Sequence, residues 1–89
     1  MKAVITVVGK DAVGILAKVS GKCAQYNVNV LEVSQTVLQE MFCMIMVCDI
    51  SQISVEFIRF CKEMEQLGKE MGMQISTMHE DIFESMHHV

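Results

Sequence analysis

Met41 to Cys48 is apolar at all eight positions, Met-Phe-Cys-Met-Ile-Met-Val-Cys, and Asp49 ends the run. A short, uninterrupted apolar stretch fits a strand buried from both sides better than an amphipathic helix. It is therefore expected to be a central strand covered on both faces. Everything else in the chain has to flank it or cover it.

The other segments fall into place around that strand. Ala3 to Val8 is rich in β-branched residues and stops at Gly9, which marks a first strand. Ile15, Leu16, Val19, Cys23 and Tyr26 recur at three- and four-residue spacing, predicting a helix from Asp11 or Ala12 to about Asn27. Asp11 is the expected N-cap, because its carboxylate can accept from the first unpaired N–H groups. Val28 to Leu38 alternates well enough for a half-buried strand, and as the most polar of the strands it is the expected edge. Gln39-Glu40 lacks preferred hairpin chemistry, so length alone places a turn there. Ser54 and Glu56 precede a second amphipathic stripe of Phe57, Cys61, Met64, Leu67 and Met71, with Gly72 placed to close the helix in a left-handed conformation. Gly68 should weaken that helix slightly. Met73 to Met78 alternates and gives a fourth strand.

The order strand, helix, strand, strand, helix, strand predicts an α+β, ferredoxin-like βαββαβ fold. Its four-stranded antiparallel sheet carries both helices on one face. The domain is expected over residues 1–78, with 79–89 as a C-terminal tail. In that tail Ile82, Phe83, Met86 and Val89 form a short helical stripe, with acids in the first turn and histidines in the last, matching the helix dipole. Two helices on one face leave the other bare, and strand three is apolar in both phases. A chain of 89 residues buries only roughly 60–65% of its unfolded surface alone, and this one is 52% hydrophobic. A homodimer is expected, through the sheet face or through the edge of strand two, with the tail helix folding against the sheet or the partner.

Charge and composition exclude several function classes. With 7 Lys and Arg against 11 Asp and Glu, and no basic cluster, the chain lacks the means to neutralise phosphates, so nucleic acid is not an expected partner. No apolar run approaches a membrane span or a signal-peptide core, which predicts no membrane association and a cytoplasmic location. Cys23, Cys43, Cys48 and Cys61 have neither CxxC spacing nor disulfide-scaffold density, and free core thiols are expected. The fold itself hosts RNA binders, copper carriers and acylphosphatase-like enzymes. The first needs aromatics amid basic residues on the central strands, and strand three offers only Phe42. The second needs paired thiolates in the first loop, and the third an arginine there; Gly9 to Gly14 has neither, and Arg59 is the only arginine.

What remains is the loop Gly9-Lys10-Asp11-Ala12-Val13-Gly14-Ile15-Leu16. A helix start offers unpaired N–H groups and a positive dipole end, which suit a carboxylate. This loop, with Tyr26-Asn27-Val28-Asn29-Val30 and Ser34-Gln35-Thr36-Val37, resembles the ACT domain, a regulatory amino-acid-binding module, over roughly residues 2 to 78. It looks most like the small stand-alone members of that family. The resemblance implies a ligand at a domain interface, held by the loop of one domain and strand two of its neighbour. Asp11 matches a polar ligand-contacting position, Gly14 the family's motif glycine, and Asn29 an asparagine that reaches across the interface. The candidate ligand site is therefore Asp11, Ala12, Val13, Gly14, Ile15 and Asn29. N–H groups from Val13 to Ile15 would take an α-carboxylate, and Asp11 and Asn29 the ammonium.

Two departures favour a different reading, a structural or protein-interaction domain that keeps the fold without the ligand. Val13 stands where the family usually has proline, and Gly9 where some binders place a side-chain donor. Purely structural roles also exist for the candidates. Gly14 can serve close helix-on-sheet packing, Asn27 can terminate the first helix, and Asn29 can satisfy backbone at a strand start. The methionines fit packing. His79, Glu80, Asp81, Glu84, His87 and His88 include metal-ligand types, yet a solvated, dipole-matched helix explains them, and no metal or cofactor is expected. No nucleophile has a base in evident reach and no carboxylate pair is placed for acid–base work, so the chain is read as non-enzymatic. The expected partners are a second copy, a small-molecule ligand and a separate, unidentified protein that receives the signal.

Overall fold

The computed structural model describes residues 1–10 and 13–86. Along the chain run β1 (Lys2–Gly9), α1 (Ile15–Gln25), β2 (Asn29–Leu38), β3 (Met41–Asp49), α2 (Phe57–Met71), β4 (Gln74–His79) and α3 (Glu80–Met86). The four strands form one antiparallel sheet in the order β2-β3-β1-β4. This is the ferredoxin-like arrangement, with β3 inside the sheet and β2 at an edge as expected.

Register sorts the strand residues into two faces. Ala3, Ile5 and Val7 stand opposite Cys48, Met46 and Met44. These six are fully buried in one core with Ile15, Val19 and Cys23 of α1 and Phe60, Met64 and Leu67 of α2. Both long helices thus cover the same face. On the other face α3 packs against β1 and β4. Val4 is buried there, but Ile45 and Met41 on β3 remain 39% and 36% exposed. Within a single chain, then, β3 is covered on the helix face and only in part on the other. A seven-residue helix spans only about 10 Å, too short to shield β3 as well as β1 and β4. Ile82 and Met86 of its apolar stripe are exposed, and Val89, His87 and His88 lie outside the described residues.

Helix α1 begins later than its periodicity suggests. Its N-cap is Gly14 at φ 73°, with no side-chain cap, so a left-handed residue stands where the expected helix would already be running. The cap position falls at Gly14, and the expectation placed on Asp11 lies, with Ala12, outside the described residues. At the other end Asn27 adopts φ 60° and closes a Schellman turn. Its N–H donates to the Ala24 carbonyl at 3.2 Å and that of Val28 to Cys23 at 2.8 Å. Gly72, at φ 68°, ends α2 in the same way, with Met73 N–H donating to the Gly68 carbonyl at 2.8 Å. The α2 stripe is rotated by one position from the expected one. Phe60, absent from that stripe, is fully buried, whereas Phe57 and Cys61 are half-buried.

The β2–β3 hairpin closes in two residues, Leu38 pairing with Met41. Gln39 and Glu40 both have positive φ, 49° and 71°. That is the backbone of a type I′ turn, whose right-handed twist suits the strands but which normally uses Asn-Gly. Two residues with β-carbons are thus held in a region they disfavour. Replacing the pair by Asn-Gly is expected to stabilise the domain by about 1 kcal/mol, raising Tm by about 4–8 °C in a thermal melt.

All four cysteines are free thiols, as expected. Cys48 donates to the sulfur of Cys23, and this bond together with burial holds its thiol far above the usual range. Burial also raises Cys61, which donates to the Thr77 carbonyl at 3.6 Å.

Candidate ligand site

The loop after β1 is positioned by Gly9, which sits opposite Phe42 on the helix-covered face. The Met73 side chain occupies the space where a β-carbon at Gly9 would go. Gly9 is thus a packing glycine, fixing how β1 leaves the sheet beside α2. Gly14 is the reverse case, since a β-carbon there meets nothing within 4 Å. Close helix-on-sheet packing is therefore not its role; its positive φ is. That conformation turns the chain into α1 at Ile15, which is buried, while Val13 is 84% exposed. Gly14 itself offers no side-chain acceptor to the first N–H groups of the helix, whose positive dipole end lies here.

Asn29 lies elsewhere. It pairs with Asp49, which in turn pairs with Lys2, whereas Gly9 pairs with Phe42 and Phe42 with Val37. Within one chain Asn29 and the Gly14 loop are thus at opposite ends of the sheet. The seven steps from Lys2 to Gly9 correspond to roughly 23 Å at about 3.3 Å per residue. The structure brings together Val13, Gly14 and Ile15, and it does not bring Asn29 to them.

Around Asn29 stand residues that sequence reading did not place in a site. Asn27, Asn29, Asp49, Ser51 and Gln52 line a depression of about 490 Å³ at the sheet's end. The Asn27 amide donates to the Gln52 carbonyl at 2.9 Å. The Asp49 Oδ1 accepts from the Ser51 N–H at 2.9 Å and from its hydroxyl at 2.7 Å. The Ser51 backbone and hydroxyl donors, with smaller help from the Met1 ammonium and Lys2, hold the Asp49 carboxyl below the usual carboxylate range. A carboxylate and an amide side by side, with no cation bonded to either among the described residues, suit a positively charged donor. The signal in the sequence is the parity of the valines along and just before β2: Val28 and Val30 are even, Val33 and Val37 odd. That switch marks the bulge at Leu31, which sets Asn29 opposite Asp49.

The tail does not form a metal centre among the described residues: no three His, Cys, Asp or Glu side chains converge. His79 instead stacks on Phe57, ring centroids 4.3 Å apart. No helix among the described residues is long and apolar enough to cross a membrane.

Comparison with known proteins agrees with this architecture. A UPF0237 protein of Methanocaldococcus jannaschii is 43% identical over 99% of this chain and 98% of its own length. A UPF0237 protein of Listeria innocua is 48% identical over 98% of each. The solved structure of an ACT domain protein from Streptococcus pneumoniae superposes with a TM-score of 0.82 at 44% identity, covering 94% of both chains. The ACT domain family model matches residues 2–78, from the first residue of β1 to the penultimate residue of β4. The chain belongs to the ACT domain family.

Proposed function

We propose that the protein is a non-enzymatic regulatory module that binds an amino acid between two copies of the chain and signals its occupancy to a separate protein. The observation that supports this most is the left-handed Gly14 that opens α1 with no side chain of its own, within the residues that the ACT domain family model matches. Its N–H groups from Val13 to Ile15 take the α-carboxylate, and Asp11 and Ala12 complete the loop. Asn29 reaches that ligand only from a second copy. Antiparallel pairing of two β2 edges about a twofold axis sets the start of one β2 beside the end of the other. The end of β2 is level with Gly9, where the loop begins. One arrangement thereby joins the two halves of the site and covers the open edge.

The test is a thermal-shift series with the twenty proteinogenic amino acids. A cognate ligand at ten times its Kd adds about 1.4 kcal/mol, a rise of roughly 6–11 °C in a domain of this size. Gly14→Leu and Asn29→Ala are expected to abolish that rise. A flat response across all twenty overturns the proposal in favour of a protein-interaction domain that keeps the fold without the ligand. The features favouring that second reading are the exposed Val13 and the Met73-filled space at Gly9.

A further inference from the structure

The sheet face away from α1 and α2 is only half covered. Four strands about 4.8 Å apart make it about 19 Å wide, and α3, about 10 Å across, packs over β1 and β4. The half formed by β3 and β2 stays open. There Leu38 pairs with Met41, Thr36 with Cys43 and Ser34 with Ile45, so no charge interrupts that half between Glu32 and the turn. A second apolar surface lies on α3 itself, where Ile82 and Met86, one turn apart, are 52% and 64% exposed although Phe83 is half-buried. Between α3 and β3 runs a hollow of about 340 Å³, with Phe83 and Met86 along one side and Cys43 and Ile45 along the other.

We propose that a second copy of the chain covers this face, its α3 lying beside the first in one layer between the two sheets. A twofold axis parallel to the strands, above the middle of the sheet, produces that arrangement. It keeps the level along the strands, so Ile82 and Met86 of each copy meet Ile45 and Cys43 of the other. Two helices side by side are about 20 Å wide, which matches the sheet, whereas one leaves half of it bare. Over the eight residues of β1 the face measures about 19 by 26 Å, about 500 Å² counted flat on each copy. About 1,000 Å² in all reaches the size of a specific interface. The occupant is a second copy because one chain carries both surfaces, the open half-sheet and the outer stripe of α3, as a twofold contact requires. This contact leaves the β2 edge free and is independent of the amino-acid reading above. Where both contacts form, the assembly holds four copies.

The experiment measures mass by light scattering at micromolar concentration for the wild type, Ile45→Lys and Ile82→Glu. Both side chains are exposed in a single chain, so both variants are expected to fold, which circular dichroism checks. Each variant alone is expected to show half the wild-type mass, because an unpaired charge then enters an apolar layer. Mixed in equal amounts, the two are expected to regain the wild-type mass, since the Ile45→Lys and Ile82→Glu charges face each other across the contact. A wild-type readout that needs no variant is alkylation of Cys43, followed by mass spectrometry. Its rate should fall severalfold as the protein concentration rises through the range of association. A monomeric wild type, a mass that neither substitution lowers, a mixture that stays at half mass, or a Cys43 rate independent of concentration overturns the proposal.

Discussion

Replacing Phe60 with alanine is expected to cost about 3–5 kcal/mol of stability, the usual range for truncating a fully buried aromatic. The whole domain, at 89 residues, should have only about 4–13 kcal/mol to lose. Phe60 is fully buried, and its ring meets Tyr26 edge-on at 6.1 Å and 83°. Tyr26 caps the end of α1, and its carbonyl accepts from Ser54 N–H at 2.9 Å, just before α2 begins. One ring thus supports the α1 exit, the loop entering α2 and the start of β2. Urea unfolding followed by circular dichroism measures the loss. Phe60→Leu, which fills most of the volume, should lose much less, and a Phe60→Ala loss below about 1 kcal/mol would contradict the placement of this ring at the core's centre.

Gly68→Ala is expected to destabilise the domain by about 2 kcal/mol, although helix propensity alone predicts a gain of about 1 kcal/mol. A β-carbon at Gly68 would lie 2.8 Å from the Met73 carbonyl oxygen, 3.0 Å from Ile75 Cγ1 and 3.2 Å from the Ile75 backbone nitrogen. Two of those neighbours are backbone, and the Met73 N–H is itself bonded to the Gly68 carbonyl. Relief would require α2 to lift from β4. Gly21, in α1, has nothing within 4 Å of its β-carbon position. Gly21→Ala should therefore give the propensity gain alone, about 1 kcal/mol. Opposite signs for the two substitutions, read from denaturation midpoints, are the expected result; a gain at Gly68 would refute the close approach.

The same two residues show where sequence reading stops. The element order and the edge position of β2 were legible, because period-2 and period-3.6 patterns and the glycine at position 72 are local signals. Phe60 was missed because Phe57, Cys61, Met64, Leu67 and Met71 also make an acceptable helical stripe. Only the depth of the groove between α1 and the sheet decides which line of residues sits at its floor. Gly68 looked like a mild defect, since the residues that make it necessary, Met73 and Ile75, lie across a turn at the start of β4. The candidate site divides in the same way. Glycine at position 14 advertised an unusual backbone, but the choice between packing and a left-handed helix entry needed the space around it. The Asn29–Asp49 pairing depends on register, and register depends on an extra residue that a single alternation count cannot place.

That extra residue, Leu31, separates two inheritances within one strand. Before it, Asn29 and Val30 keep one phase; after it, Glu32 to Leu38 keep the opposite one, with Val33 and Val37 turned toward the helices. The polar rung at the strand's start and the apolar alternation along its length are therefore under separate geometric control. Substitutions along the edge from Glu32 to Leu38 can accumulate without moving Asn29 off Asp49, so the long edge and the rung at its start are free to change independently.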